Sequence, residues 1–106
     1  MIYRQGDVLI VSTKKIPNTA KPIERENGAV ILAHGEATGH AHAFRGAGVR
    51  MFRDDGTNGG GYLQVDGPDA KPLTHEEHTT IHVPPGNYRV IRQREYSPEA
   101  IRNVAD

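Results

Sequence analysis

Gly35-Glu36-Ala37-Thr38-Gly39-His40-Ala41-His42-Ala43-Phe44 is the stretch around which the chain can be read. In an extended strand, side chains at i and i+2 point to the same face. His40, His42 and Phe44 then share one face, and Ala41 and Ala43 share the other, where small side chains leave room for close packing. Two imidazoles on one strand face, beside an aromatic ring and just past a glycine-rich bend, suit a metal ion or a small anion, since neutral imidazole is a common transition-metal ligand. A His-x-His pair is also what two solvated surface histidines look like, so the surrounding fold has to decide.

Outward from this stretch, short apolar segments alternate with turn residues. Asp7–Ser12 and Ala29–Ala33 are strand-length and too short for helices, and Asn27-Gly28 before the second is a hairpin signal. Arg45–Gly48 reads as a turn. Val49–Arg53 reads as a strand with Val49, Met51 and Arg53 on one face, and Asp54–Gly61, with its glycine triplet, as a mobile loop. Tyr62–Val65, Thr79–Val83 and Tyr88–Tyr96 read as further strands, the last with Tyr88, Val90, Arg92 and Arg94 on one face. The segment through Lys21-Pro22 reads as loop, because prolines break the period. Ser97-Pro98 opens a short C-terminal helix over about 98–103. Seven or eight strands at this spacing predict one all-β domain over residues 1–106, a small barrel or sandwich.

Composition narrows the chemistry. The 106 residues allow one modest core. Thirteen basic and thirteen acidic residues give net zero charge, which lends nucleic-acid binding no support. With no cysteine, disulfides, thiolate metal sites and cysteine nucleophiles are excluded. No apolar run approaches a membrane span and the N-terminus lacks a signal core, so a cytoplasmic protein is expected. Walker, Rossmann and nucleophile-elbow patterns are absent.

A second histidine group, His75-Glu76-Glu77-His78, enters a strand after a proline, and a tight bend there would bring both rings to one side. Strands distant in sequence meet routinely in β folds, so the separation of about 35 residues is no obstacle. His40, His42, His75 and His78 together form a candidate set for a divalent transition metal. Sulfur-free ligands suit zinc, iron, nickel, manganese or copper without choosing among them. Glu36, Glu76 or Glu77 would add an oxygen ligand, orient a histidine or act as a general base. The plain alternative is a polar loop beside surface histidines. His34 and His82 are weaker candidates, since the ring of His82 faces away from Ile81 and Val83. Arg89, Arg92 and Arg94 would bind phosphate or carboxylate, or make up a charged outer sheet face.

Two resemblances follow from these motifs. Gly35-x4-His40-x-His42 resembles the first half of the cupin metal motif, and Val83-Pro84-Pro85-Gly86 resembles the Pro-Gly turn of its second half. The resemblance implies a cupin-like β-barrel with His40 and His42 as ligands inside it. Arg45 and Gly46 stand near the place of the cupin glutamate, and Tyr88 and Arg89 near that of its last histidine, so His75 or His78 would supply the third ligand. Nearly the whole chain also resembles a family of small bacterial and phage proteins without assigned activity. They share Arg4-Gln5-Gly6-Asp7-Val8, the Gly35–His42 run, His75-Glu76-Glu77-His78, Pro85–Val90 and Arg92–Tyr96.

Three functions are therefore carried forward. The first is a metal-binding protein, extended to a hydrolase in which a metal-held water attacks and Glu36 or Glu77 is the base. Its substrate would be a small molecule or a phosphate-bearing compound. The second is a metal-free nuclease or phosphodiesterase working by histidine acid–base chemistry. The third is a non-catalytic binding or assembly module, in which exposed sheet edges favour a homodimer.

Overall fold

A computed structural model describes residues 1–35, 39–54 and 60–92. All regular structure among them is β. Ten strands run in chain order: β1 (Ile2–Gln5), β2 (Val8–Thr13), β3 (Lys21–Ile23), β4 (Val30–His34), β5 (Ala41–Phe44), β6 (Val49–Asp54), β7 (Gly60–Val65), β8 (Lys71–Leu73), β9 (Ile81–Val83) and β10 (Gly86–Arg92). Six form one antiparallel sheet in the order β1-β2-β10-β7-β6-β3. The hairpins β4-β5 and β8-β9 are joined by a bridge between Ala43 and Thr74, with paired backbone bonds of 3.0 and 2.9 Å. They lie across the six-stranded sheet, a sandwich-like arrangement. The described strands do not close into a barrel, because β1 and β3 end the large sheet as edges.

The inward face of the large sheet follows from register and the two-residue side-chain period. Across the strands, Tyr3, Ile10, Val90, Gly61 and Arg53 form one row. Ser12, Tyr88, Leu63 and Met51 form the next row. Gln5, Val8 and Arg92 form the row on the other side. Val8, Ile10, Leu63 and Tyr88 from this face pack with Phe44, Leu32, Leu73 and Val83 from the hairpins. Tyr88 donates its hydroxyl to Pro84 O at 2.6 Å and meets the Tyr3 ring edge-on at 6.1 Å. Burial raises the Tyr88 phenol above its ordinary pKa.

Several local expectations hold. Asn27 and Gly28 both have positive φ, 50° and 80°, and close a two-residue hairpin with reciprocal bonds between Glu26 and Ala29. Arg25 clamps that turn to the next one, donating to Gly28 O and Gly46 O. Elsewhere the structure corrects the reading. Lys21–Ile23 is an edge strand rather than a loop, paired only to β6, where the missing N–H of Pro22 is tolerated. Ile2–Gln5 is a strand that the polar Arg4-Gln5 pair concealed. Strand β6 extends through Asp54, which accepts a bond from Thr19 Oγ1 at 2.9 Å, and β7 begins at Gly60. The loop between them lies outside the described residues, as do the expected helix at 98–103 and the end of the Tyr88–Tyr96 strand. No described helix is long and apolar enough to cross a membrane.

Candidate metal centre

The β4-β5 and β8-β9 hairpins bring the two histidine groups together. His42, on β5, is 2% exposed and points at the large sheet, as does Phe44 two residues on. His40 lies just before β5. His75 and His78 lie in the bend between β8 and β9, and that bend places them on one side with ring centroids 4.6 Å apart. The His75 ring is the hub, 5.6 Å from His40 and 4.4 Å from His42. His42 and His78 stack nearly parallel at 5.8 Å.

Two glycines make space for these rings. A side-chain carbon on Gly6, in the turn between β1 and β2, would lie 2.7 Å from His78 Nε2 and 3.2 Å from His42 Cε1. Gly6 also has a φ of 60°, which side-chain-bearing residues seldom adopt. A carbon on Gly35 would lie 2.9 Å from His40 Cβ and 3.3 Å from His75 Nε2. The histidine cluster is thus lined by backbone at His42 and His78 on one side and at His40 and His75 on the other.

The inner part of the cluster is fixed by hydrogen bonds. Gln5 is 3% exposed, and its amide nitrogen donates to Leu73 O at 2.8 Å and Thr79 O at 3.0 Å. Both amide protons are thereby used, and Oε1 must face His42 Nδ1, 2.9 Å away. An amide oxygen only accepts, so His42 Nδ1 carries the proton and Nε2 carries the lone pair. That lone pair faces Asp7 Oδ1 at 3.7 Å, and Asp7 Oδ2 accepts from Arg92 Nε at 3.1 Å. Burial, reinforced by the neighbouring His75, lowers the His42 pKa from 6.5 to about 4 against the pull of Asp7, so the ring is neutral near pH 7.

The outer part carries the ligand geometry. His40, His75 and Glu76 each offer a donor atom, and these atoms lie within 4.8 Å of one another. Glu76 Oε1 accepts the Ala41 N–H at 2.9 Å, which aims its carboxylate at β5 and, with its own backbone amide, holds its pKa below the usual carboxylate range. Glu77 Oε1 sits 3.5 Å from His40 Nδ1, where it would orient that ring in the manner of a carboxylate behind a metal-ligating histidine. The two glutamates therefore differ, Glu76 among the donors and Glu77 behind one of them. Glu36 lies outside the described residues.

A sulfur-free His-His-Glu set matches zinc and related divalent ions. His75 Nδ1 accepts the Glu77 N–H at 3.0 Å, and an incoming ion would displace that bond or shift the ring proton. One hydrogen bond is worth about 0.5–1.5 kcal/mol, against about 10–16 kcal/mol for structural zinc in small peptides. Three such donors within 4.8 Å of one another form a group that could hold a divalent ion. His34 is exposed, 3.4 Å from Glu26 and opposite Ala41 in the β4-β5 pair, and His82 is exposed opposite Pro72; neither belongs to the convergent donor set.

Sequence reasoning missed Gln5, Asp7 and Gly6 as parts of this site. Gln5 binds partners 37, 68 and 74 residues away, a relation that no local pattern contains. Arg92 was read either as a phosphate or carboxylate binder or as part of a charged outer face; its alternation with Tyr88 and Val90 puts it on the inward face beside Val8.

No curated protein and no solved structure matches the chain, so the cupin resemblance stands on the His-x-His and Pro-Gly motifs alone. A family profile does match, over residues 4–93, a span that holds every element of the site just described. The chain belongs to that family, which is described as a domain of unknown function, DUF8820.

Proposed function

We propose that the protein binds a divalent transition metal through His40, His75 and Glu76, with His42 and His78 as the further donors. The single observation that carries this reading is the convergence within 4.8 Å of three donor atoms, one from the residue before β5 and two from the β8-β9 bend. The Gln5-fixed tautomer of His42 supports it, because it leaves a lone pair on Nε2, on the ring packed against His75. A bound ion would supply Lewis acidity and an acidified water. Glu77 is then the carboxylate that orients His40 and accepts a proton, which extends the proposal to hydrolysis of a small molecule. With a pKa of about 4, His42 is a weak general base and a poor acid near pH 7, which counts against a metal-free acid–base mechanism centred on it.

The test is elemental analysis and thermal unfolding of protein purified without a histidine tag, with Zn, Ni, Mn and Fe(II) added in turn. One ion per chain should raise stability by about 2.7 kcal/mol at a hundredfold excess over Kd. His40→Ala and Glu76→Gln should each remove that rise. A wild-type protein that retains no ion and gains no stability from any of the four metals sinks the proposal.

A further inference from the structure

A cavity of about 160 Å³ lies between the two layers, away from the His40–His75–Glu76 donors. Val8 and Val90 from the large sheet and Leu32 from β4 give it apolar walls. Gly61, which also lines it, occupies the inward row between Val90 and Arg53 without a side chain. A carbon there would meet Met51 Cε at 3.1 Å and Val90 Cβ at 3.6 Å.

Two guanidinium groups also line this cavity and make its wall more polar than apolar. Arg53 follows Val49 and Met51 on the inward face of β6, and is exposed where that face leaves the core. Arg92 follows Tyr88 and Val90 on the inward face of β10, with its side chain 22% exposed. An arginine on the core face of a sheet is unusual, and here two of them line the same cavity. Arg92 is held in place by its bonds to Asp7 Oδ2 at 3.1 Å and to His34 O at 2.8 Å. A guanidinium fixed in this way is organised in advance for a planar carboxylate, which it recognises through paired N–H donors.

We infer that this cavity binds a small carboxylate with a short branched or linear apolar body, its carboxylate on Arg53 and Arg92 and its hydrocarbon against Val8, Leu32 and Val90. The volume is below that of drug-sized pockets, which restricts the ligand to a few carbons beyond the carboxylate. The inference does not depend on metal binding, because none of the proposed ligands lines the cavity. Arg92 nevertheless connects the two regions, since the Asp7 that it holds faces His42.

The experiment is an amide NMR titration of metal-stripped protein, dialysed free of chelator, with acetate, butyrate, isovalerate, isopentanol, isopentylamine and inorganic phosphate. Saturable shifts are expected at Val8, Ala33, Gly61 and Val90 with butyrate and isovalerate. Binding should be about tenfold weaker for acetate and phosphate, and absent for the alcohol and the amine. Arg53→Gln changes an exposed side chain and should weaken isovalerate about tenfold with the melting temperature unchanged. Gly61→Val should abolish the shifts by filling the space. The inference is overturned if isovalerate produces no saturable shifts at these amides. It is equally overturned if isopentanol or phosphate binds there as tightly, or if Arg53→Gln binds like the wild type. Because the titration is done without metal, its failure leaves the metal proposal untouched, and a failed metal proposal leaves the titration intact.

Discussion

The inner and outer halves of the histidine cluster use the same side chain in opposite ways. Inside, His42 is buried and has its ring proton assigned by Gln5, whose amide is itself fixed by two backbone carbonyls. Outside, His40 and His75 are partly exposed and touch carboxylates and backbone amides that a ligand can displace. The inner half has its partners fixed, and the outer half has partners that a ligand can displace. The comparison teaches that histidine count alone says little. What separates the two halves is whether the partners of an imidazole are themselves hydrogen-bonded elsewhere, as Gln5 is, or open to displacement.

The most severe way to break the inner half is Gln5→Leu. It strands the His42 Nδ1–H and the Leu73 and Thr79 carbonyls, and should cost about 3–5 kcal/mol in urea unfolding, a large share of a small domain's total. A loss under about 1 kcal/mol would mean that the amide is not the keystone described above.

The next largest effect is on pH dependence. The folded protein keeps His42 neutral down to about pH 4, whereas the unfolded chain takes up a proton below 6.5. Stability from this residue is therefore present above pH 6.5 and lost as pH falls toward 4, by about 3 kcal/mol at 1.36 kcal/mol per pKa unit. Urea midpoints measured across that range should fall accordingly. In His42→Gln, which has no titrating group there, the slope should flatten.

A change in the outer half should do little to the metal-free fold. Glu76→Gln replaces an exposed acceptor with another acceptor at Ala41 N–H, so metal-free stability should move by less than about 1 kcal/mol. Its effect should appear only when metal is added. The smallest test sharpens the comparison without changing stability at all. Ring-nitrogen NMR near pH 7 should find His42 wholly in the Nδ1–H form.

How much of this was legible in the sequence can be traced to particular residues. The Asn27-Gly28 hairpin and the strands around Val8, Val30, Val49, Tyr62 and Tyr88 were readable because turn chemistry and alternation are local. The strands at Lys21–Ile23 and Lys71–Leu73 were obscured by Pro22 and Pro72, which only an edge position or a short hairpin strand makes tolerable. The candidate histidines were readable as types and spacings, and their meeting required the fold. The different stations of Glu76 and Glu77 follow from what each carboxylate meets, the Ala41 N–H for Glu76 and the His40 ring for Glu77, and adjacent identical residues carry no mark of that. Whether the layers closed into a barrel depended on the pairing order, and the cupin-like motifs did not specify it.

The position of β10 in the large sheet has a consequence for how the chain acquires its shape. This strand is last in sequence among the ten yet sits between β2 and β7, so the N-terminal hairpin has no neighbour on that side until residues 86–92 have been synthesised. Gln5 likewise waits for Leu73 and Thr79. During synthesis, the β2 edge bearing Val8 and Ile10 stays unpaired until β10 has been made, which exposes a sticky strand to chaperones and to other nascent chains. The inner imidazole frame waits for residues 73–79 and the arginine-lined cavity for β10, so both are late events in the life of the molecule.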